Sequence, residues 1–501
     1  MPFPLSATVT NAIAPPIPRA QAWAAAYEGK DLLNLSQGVP GDAPHPLLVD
    51  KLIEVVKHGQ GAGYGPILGE EGLRRAVKRE MGWVYRWDGW EAMELDDDAG
   101  RLASGKRSFE EDVGEEGTIV SGRSSMNDAA AVPPAWNEIA ITSGCNQAFF
   151  GVILALCGQG DKVLLPVPWY FNMLMTFQVL GVTPVPLPLD PAGGFTPCPA
   201  AARAILESPE GTDMKALVLV TPNNPTGCTY SPALIAQFAD LAREKNVALI
   251  VDETYRDFIP PSIDASKTQV EARGQQQQRS GSGKPHDLFT REDWREHVIS
   301  VGSFSKSYKI PGHRLGVIVA GRQVLKGITT VADCIQCLLK ICAPRPPQIA
   351  LAAVLPALRD DLAQTSARLA ARLRLFKQLV ENVPGWKVEA QGGFFSYVRH
   401  PFVRSTGLAA GAKEREWMPS EHVSKVLAER CGVLTLPGAF FMPARDDPTW
   451  DALSKAGSVL VDDRWIRFAV ANVDDDLVRK VPERLERLNE IMVNDGYELA
   501  D

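Results

Sequence analysis

Apolar positions along the chain change their spacing several times, and each change marks an element. Between residues 139 and 320, short unbroken apolar runs recur at 139–142 (IAIT), 162–165, 182–187, 216–221 (ALVLVT), 247–251, 298–301 and 315–320 (LGVIVA). Runs without polar alternation read as strands covered on both faces. Helical spacing lies between them, at 147–157 and 234–245. Upstream, residues 47–58 put Leu48, Leu52, Val55 and Val56 on one helical face, and EEGLRRAVKREMGW is a second amphipathic helix. Strand–helix alternation predicts an α/β fold with a mostly parallel sheet and helices on both faces.

Past residue 355 the pattern changes. A long helix over 358–383 aligns Leu362, Leu369, Leu373, Phe376 and Val380, and Pro384-Gly385 ends it. Strands at 386–388, 393–398, 433–435 and 465–469 then mix with helices at 420–431 and 477–492. The expected organisation is an arm over 1–46 belonging with the small domain, a large domain over 47–355, and a smaller α+β domain over 356–501. Two stretches break the periodicity. Residues 84–134 are crowded with acids (Glu91, Glu94, Asp96, Asp97, Asp98, Glu110, Glu111, Asp112, Glu115, Glu116), and 258–293 contain four consecutive glutamines, 275–278. Both read as solvated insertions, the second without catalytic content. Trp83, Trp87 and Trp90 at the start of the first suggest that this end docks on the body.

Composition narrows the function classes. With 45% hydrophobic and 22% charged residues and a formal net charge of −8, the chain suits a soluble enzyme and not a non-specific nucleic-acid binder. No apolar run is long enough to span a membrane, and the first twenty residues lack the pattern of a secretory signal. The 8 cysteines form no disulfide framework, which suits a reducing, cytoplasmic location. Cys334, Cys337 and Cys342 lie in an apolar helical run without a nearby histidine, so they read as buried small hydrophobes and no metal site is expected.

The chemistry gathers where strands end. SFSKSYKIPGHRLG, residues 303–316, places one lysine, Lys306, between two predicted strands. In α/β sheets ligands bind at such strand ends. A lysine there can condense with an aldehyde, while Ser303, Ser305 and Arg314 can grip a phosphate; pyridoxal 5'-phosphate carries both groups. The turn Ser143-Gly144-Cys145-Asn146 opens a helix and offers free backbone N–H groups to an anion, chiefly at Cys145 and Asn146. Asp252 could pair with a pyridinium nitrogen, Asn224 and Tyr255 could donate to a ring oxygen, and Tyr170 offers a face for stacking. Tyr64 stands in a glycine-rich loop without an apolar face to join.

Taken in order, YGPILGEEGLRRAV, TSGCNQA, PWY, TPNNPTG, VDETY, SFSKSYKIPGHRLG and RFAVANV resemble the class I/II aminotransferases, fold type I pyridoxal-phosphate enzymes related to aspartate and aromatic aminotransferases. The resemblance covers nearly the whole chain apart from the two insertions. It implies that Lys306 is the Schiff-base lysine and proton shuttle, that Asp252 partners the pyridine nitrogen, and that Asn224 and Tyr255 bond the ring hydroxyl. It further implies Tyr170 as the stacking aromatic, Ser303, Ser305, Arg314 and Gly144 to Asn146 as the phosphate cup, and Gly38 at the substrate entrance. Arg467 resembles the arginine for the substrate α-carboxylate, and Tyr64 the tyrosine that reaches a neighbouring subunit's phosphate in a homodimer. The expected activity is transfer of an amino group between an α-amino acid, apolar or aromatic for preference, and a 2-oxo acid. Cys145 and Asn146 depart from the commonest residues of their turn, and no second arginine for a dicarboxylate is evident. A lyase or cyclase on the same scaffold is the alternative, since its cofactor residues would be the same. A ligand-sensing regulator would carry a basic DNA-binding helix pair, which this chain lacks.

Overall fold

The computed structural model describes residues 6–10, 12–90, 133–260, 283–339, 342–406 and 414–500. Seven strands form its central sheet: β1 (Ile139–Thr142), β2 (Lys162–Val167), β3 (Thr183–Pro188), β4 (Met214–Val220), β5 (Ala248–Asp252), β6 (Val298–Ser303) and β7 (Gly316–Ala320). Their order is β1-β7-β6-β5-β4-β2-β3. From β6 to β3 every neighbouring pair is parallel, while β7 runs against both β6 and β1. This is the mostly parallel α/β sheet expected from the apolar runs.

Those runs lack alternation because both sheet faces are covered. Along β4, Leu217 and Leu219 enter one apolar cluster, while Ala216, Val218 and Val220 enter the cluster on the opposite face. β5 does the same with Leu249 and Val251 on one side and Ile250 on the other. Each buried Val, Leu or Ile side chain here contributes roughly 1.5–3 kcal/mol of transfer free energy. Register then sets the site. Val220 pairs with Asp252 and Asp252 with Val301, so β4, β5 and β6 end side by side, and Ser303 pairs with Gly316 on β7.

A four-stranded antiparallel sheet lies later in the chain, in the order Leu436–Pro437, Trp465–Ala469, Phe395–Arg399, Lys387–Gly392. Helices Arg359–Glu381, Ser420–Cys431 and Val481–Asn494 cover it, with Phe376, Leu427 and Leu488 in one cluster with Phe395, Ile466 and Phe468. The N-terminal part joins the same region. Strand Leu33–Asn34 pairs in parallel with Val433–Leu434, and Trp23 of helix Pro16–Ala25 packs on Phe440 with ring centroids 5.8 Å apart.

Several expectations change in detail. Helix Glu71–Tyr85 runs two residues into the stretch read as the first insertion, because Val84 and Tyr85 are buried. Trp87 packs on Tyr85 and Phe289, while Trp83 and Trp90 face the Arg359 guanidinium at 5.2 and 5.3 Å, so this end does dock. The second stretch is not solvated throughout: His286, Leu288 and Phe289 are fully buried. The acidic run 91–116 and the glutamines 275–278 lie outside the described residues. Cys334 is exposed and not core, because its helix, Arg322–Leu339, turns that position outward; Cys342 is half-buried and its Sγ accepts from Gly65 N–H at 3.3 Å. The side chain of Cys337 lies outside the described set. Among the described residues no helix is long and apolar enough to cross a membrane.

Candidate active site

The ends of β4, β5 and β6 open onto a cavity of about 240 Å³. β6 runs directly into the single helical turn Phe304–Ser307, which carries Lys306 into the cavity. The Ser303 hydroxyl accepts from Ser305 N–H at 3.1 Å and pins the start of that turn. Lys306 Nζ donates to the Gly38 carbonyl at 2.5 Å. Burial, with the positive charges of Arg467 and Arg314 nearby, pushes the Lys306 amine down to about 8.

Two features surround the lysine on the β6–β7 side. Arg314, at φ 52°, donates to the Pro311 carbonyl at 3.0 Å. Gly144 precedes helix Cys145–Leu156 at φ 92°, and a Cβ there would run into the Arg314 guanidinium. Only glycine meets both conditions. The Cys145 and Asn146 amides belong to the first turn of that helix, where backbone N–H groups have no intrahelical acceptor. Ser303, Ser305, Arg314, Cys145 and Asn146 all line the cavity.

Asp252 closes β5 and lines the same cavity. Its Oδ1 accepts from Thr254 N–H at 2.9 Å and lies 3.8 Å from Cys145 Sγ. Burial raises the Asp252 carboxyl above its ordinary range, while Thr254 pulls it back. Burial also pushes the Tyr170 hydroxyl up to about 12 and the Tyr255 hydroxyl higher still, so both remain neutral donors. The Tyr255 ring meets Phe395 edge-on at 5.2 Å.

Arg467 comes from strand Trp465–Ala469 and is 3% exposed. Its Nη1 donates to Asn224 Oδ1 at 2.8 Å and its Nη2 to the Ser36 carbonyl. The guanidinium carbon stands 4.6 Å from the Phe395 ring centre and 4.9 Å from that of Phe441. Burial lowers Arg467 to about 10, which leaves it charged at neutral pH. No carboxylate is paired with it among the described residues, and its Nε is buried without a hydrogen-bond partner. A buried cation of this kind calls for an anionic ligand.

Of the residues singled out in the sequence, Gly38, Cys145, Asn146, Tyr170, Asn224, Asp252, Tyr255, Ser303, Ser305, Lys306, Arg314 and Arg467 share this cavity, and Gly144 adjoins it. Tyr64 does not; it stands on the surface, 73% exposed. Sequence reasoning missed Ile17, Gln37, Val39, Phe171 and Phe395 in the wall. The Pro-rich entry to helix Pro16–Ala25 was a signal that the arm is ordered, though not that it reaches the cavity.

A family model, "Aminotransferase class I and II", matches residues 128–485, more than half of the chain. The chain is similar to an aspartate aminotransferase of Sulfurisphaera tokodaii, 26% identical over 309 residues that cover 61% of this chain and 67% of that protein. It is also similar to an aromatic aminotransferase of Arabidopsis thaliana, 31% identical over 210 residues that cover 41% and 46% of the two chains. In fold it is similar to a double mutant of Thermus thermophilus aspartate aminotransferase, with a TM-score of 0.69, 19% identity, and 97% and 100% of the two chains covered. Strand order, the lysine at the end of β6 and the family match agree: the chain belongs to the class I and II aminotransferases, a family whose membership implies pyridoxal phosphate.

Proposed function

We propose that this aminotransferase holds pyridoxal phosphate at Lys306 and transfers the amino group of an α-amino acid, apolar or aromatic for preference, to a 2-oxo acid. The carrying observation is the buried amine of Lys306 in one cavity with a guanidinium, two serine hydroxyls, the first amides of a helix and a buried carboxylate. These donors suit the group. Arg314, Ser303, Ser305 and the Gly144–Asn146 turn would hold its phosphate, Asp252 its ring nitrogen, Asn224 and Tyr255 its hydroxyl, and Tyr170 its face. Gly38 lines the entrance for substrate. The division into an arm (1–46), a large domain (47–355) and a small one (356–501) fits this reading, with the small domain supplying Arg467.

When bound, pyridoxal phosphate supplies an aldehyde for the substrate amine and a ring that takes up the electron pair left at Cα. Arg467 binds the α-carboxylate with its planar fork and so aims the Cα–H bond. Lys306 Nζ, whose proton affinity burial has lowered, takes the Cα proton as a free amine. Asp252 would pair with the ring nitrogen and favour its protonated form. The apolar wall of Ile17, Val39, Phe171 and Phe395 keeps water from the reacting carbon. Arg314 and Arg467 are the only guanidinium groups among the described lining residues, so this chain itself offers none for a second carboxylate, which favours an apolar or aromatic donor. The aromatic aminotransferase relative agrees with this choice, and the aspartate aminotransferase relative does not.

The testing experiment is a single turnover with amino acid and no oxo acid. One equivalent of 2-oxo acid and an aminated cofactor are expected. Accumulation of ammonia or a cyclised product, with the cofactor unchanged, would identify a lyase or cyclase and overturn the reading.

A homodimer with shared sites is part of this proposal. Leu47, Val49, Ile53 and Val56 on helix Pro46–Lys57 are all exposed, as is Tyr64. Val49, Ile53 and Val56 share one helical face, an apolar row of the kind a second copy would cover. Mixing inactive Lys306→Ala and Tyr64→Ala chains is expected to recover activity, because one of the two sites is then intact. Lys306→Ala with Arg314→Ala should not recover it. A chain that sediments as a monomer at assay concentration refutes the shared site. A cytoplasmic location agrees with the free cysteines among the described residues.

A further inference from the structure

Asp252 and Glu253 are consecutive at the end of β5, and they face opposite ways. Asp252 lines the cavity, whereas Glu253 is 2% exposed behind it. Three groups converge on the Glu253 carboxylate. Tyr85 Oη donates at 2.7 Å, Ser300 Oγ donates at 2.5 Å, and His286 Nε2 lies 3.2 Å from Oε1. His286 Nδ1 accepts from Leu288 N–H at 3.1 Å, which leaves the proton on Nε2; that atom lies close to Glu253 but makes no aligned hydrogen bond to it. Arg256 Nη1 donates to Tyr85 Oη at 3.2 Å. Asp257, the other acid of this loop, accepts from Ser307 Oγ at 2.5 Å, beside Lys306.

Two of these donors come from outside the sheet. Tyr85 ends the helix that leads into the first interruption of the pattern, and His286 stands in the segment that leaves the second. Their rings lie 4.9 Å apart, and Phe289 meets them at 5.2 and 5.3 Å. The bases of the two interruptions are thus packed on one another and on the back of β5.

We infer that Tyr85 and His286 are positioning residues for the cofactor's ring nitrogen, acting through a fixed negative charge at Glu253 immediately behind Asp252. The inference rests on the assignment of Asp252 proposed above. A buried carboxylate keeps its charge only while donors satisfy it. Burial pushes Glu253 upward, yet His286, Arg256 and Ser300 hold it down at about 2. That charge, offset in part by the Arg256 guanidinium, adds to the attraction of Asp252 for a ring N–H⁺. Without the Tyr85 hydroxyl or the imidazole beside it the carboxylate is less well held, gains a proton, and the second negative charge is gone.

The test uses the full-length protein reconstituted with pyridoxal phosphate labelled with nitrogen-15 in the ring. Glu253→Gln and His286→Ala are expected to move the ring-nitrogen chemical shift toward the neutral pyridine value, and Tyr85→Phe to move it less. A fall in kcat of about ten-fold with KM nearly unchanged should accompany the shift, the size of one lost buried hydrogen bond. His286→Gln, which keeps an Nε–H, should restore both. If Tyr85→Phe and His286→Ala lower the melting temperature but leave the nitrogen shift at the wild-type value, the network is structural only and the inference is overturned. Wild-type protein that takes up no cofactor overturns the proposed function as well, so the two failures are distinct.

Discussion

Lys306→Ala is expected to abolish transamination while leaving the protein able to bind pyridoxal phosphate. The amine is the one base in the cavity whose ordinary pKa lies above neutrality and has been brought down to about 8. Loss of a positioned proton-transfer group lowers turnover by roughly 10²–10⁴-fold on its own, and loss of the covalent anchor adds to that. Binding survives because Arg314, the two serines, the helix amides and Asp252 are untouched. Borohydride reduction followed by peptide mapping should find the cofactor's mass on Lys306 in the wild type and on no peptide of the variant. A reduced adduct on another lysine, or an alanine variant with wild-type turnover, would remove the central residue from the proposal. The sign of the pH effect is fixed too. The nucleophile is the free amine, so capture of cofactor by the cofactor-free protein should speed up as pH rises and level off just above 8. An unperturbed lysine would still be gaining at about pH 10.

Arg467→Lys is expected to raise KM and lower kcat together. The guanidinium stands over two phenyl rings and is already fixed by Asn224 and the Ser36 carbonyl, so its fork is pre-oriented before substrate arrives. Lysine keeps the charge, but it cannot make two parallel hydrogen bonds or stack flat on Phe395 and Phe441. A charged hydrogen bond contributes about 1.5–3 kcal/mol, so kcat/KM should fall by roughly 10- to 100-fold. Cofactor affinity should stay as it was, because no phosphate or ring contact is assigned to this residue. Steady-state kinetics with a fluorescence titration of the cofactor separates the two effects. A variant that loses cofactor and keeps its kcat/KM when saturated would place Arg467 on the wrong ligand.

Both predictions concern residues that were readable before any coordinates. Lys306, Asp252 and Asn224 stand where an apolar run ends and small, proline or polar residues begin, and that junction is local in sequence. The sheet was readable for the same reason: β4 and β5 bury alternate side chains in opposite clusters, which leaves an unbroken apolar run behind. The cavity wall was not. Ile17, Val39, Phe171 and Phe395 are ordinary apolar residues locally, and only the approach of distant segments makes them neighbours. Tyr85 and His286 were hidden by their surroundings. Each sits inside a stretch that reads as a solvated insertion, and the carboxylate that explains their burial is 168 residues from the tyrosine. The exposed Cys334 shows the converse error, since an apolar neighbourhood does not fix which way a helix turns one residue.

Arg467 has a consequence for how the protein comes into being. Apart from Tyr64 of the partner subunit, the proposed phosphate and ring contacts all lie between residues 144 and 314, so that half of the pocket can assemble before the later chain is in place. The carboxylate grip cannot. It joins Arg467 to the Ser36 carbonyl across 431 residues and to Asn224 across 243. Contacts of such sequence separation form late, after the intervening chain has been ordered. A nascent chain could therefore acquire its coenzyme before it could discriminate any amino acid. Competence to select a substrate waits on a contact made across 431 residues.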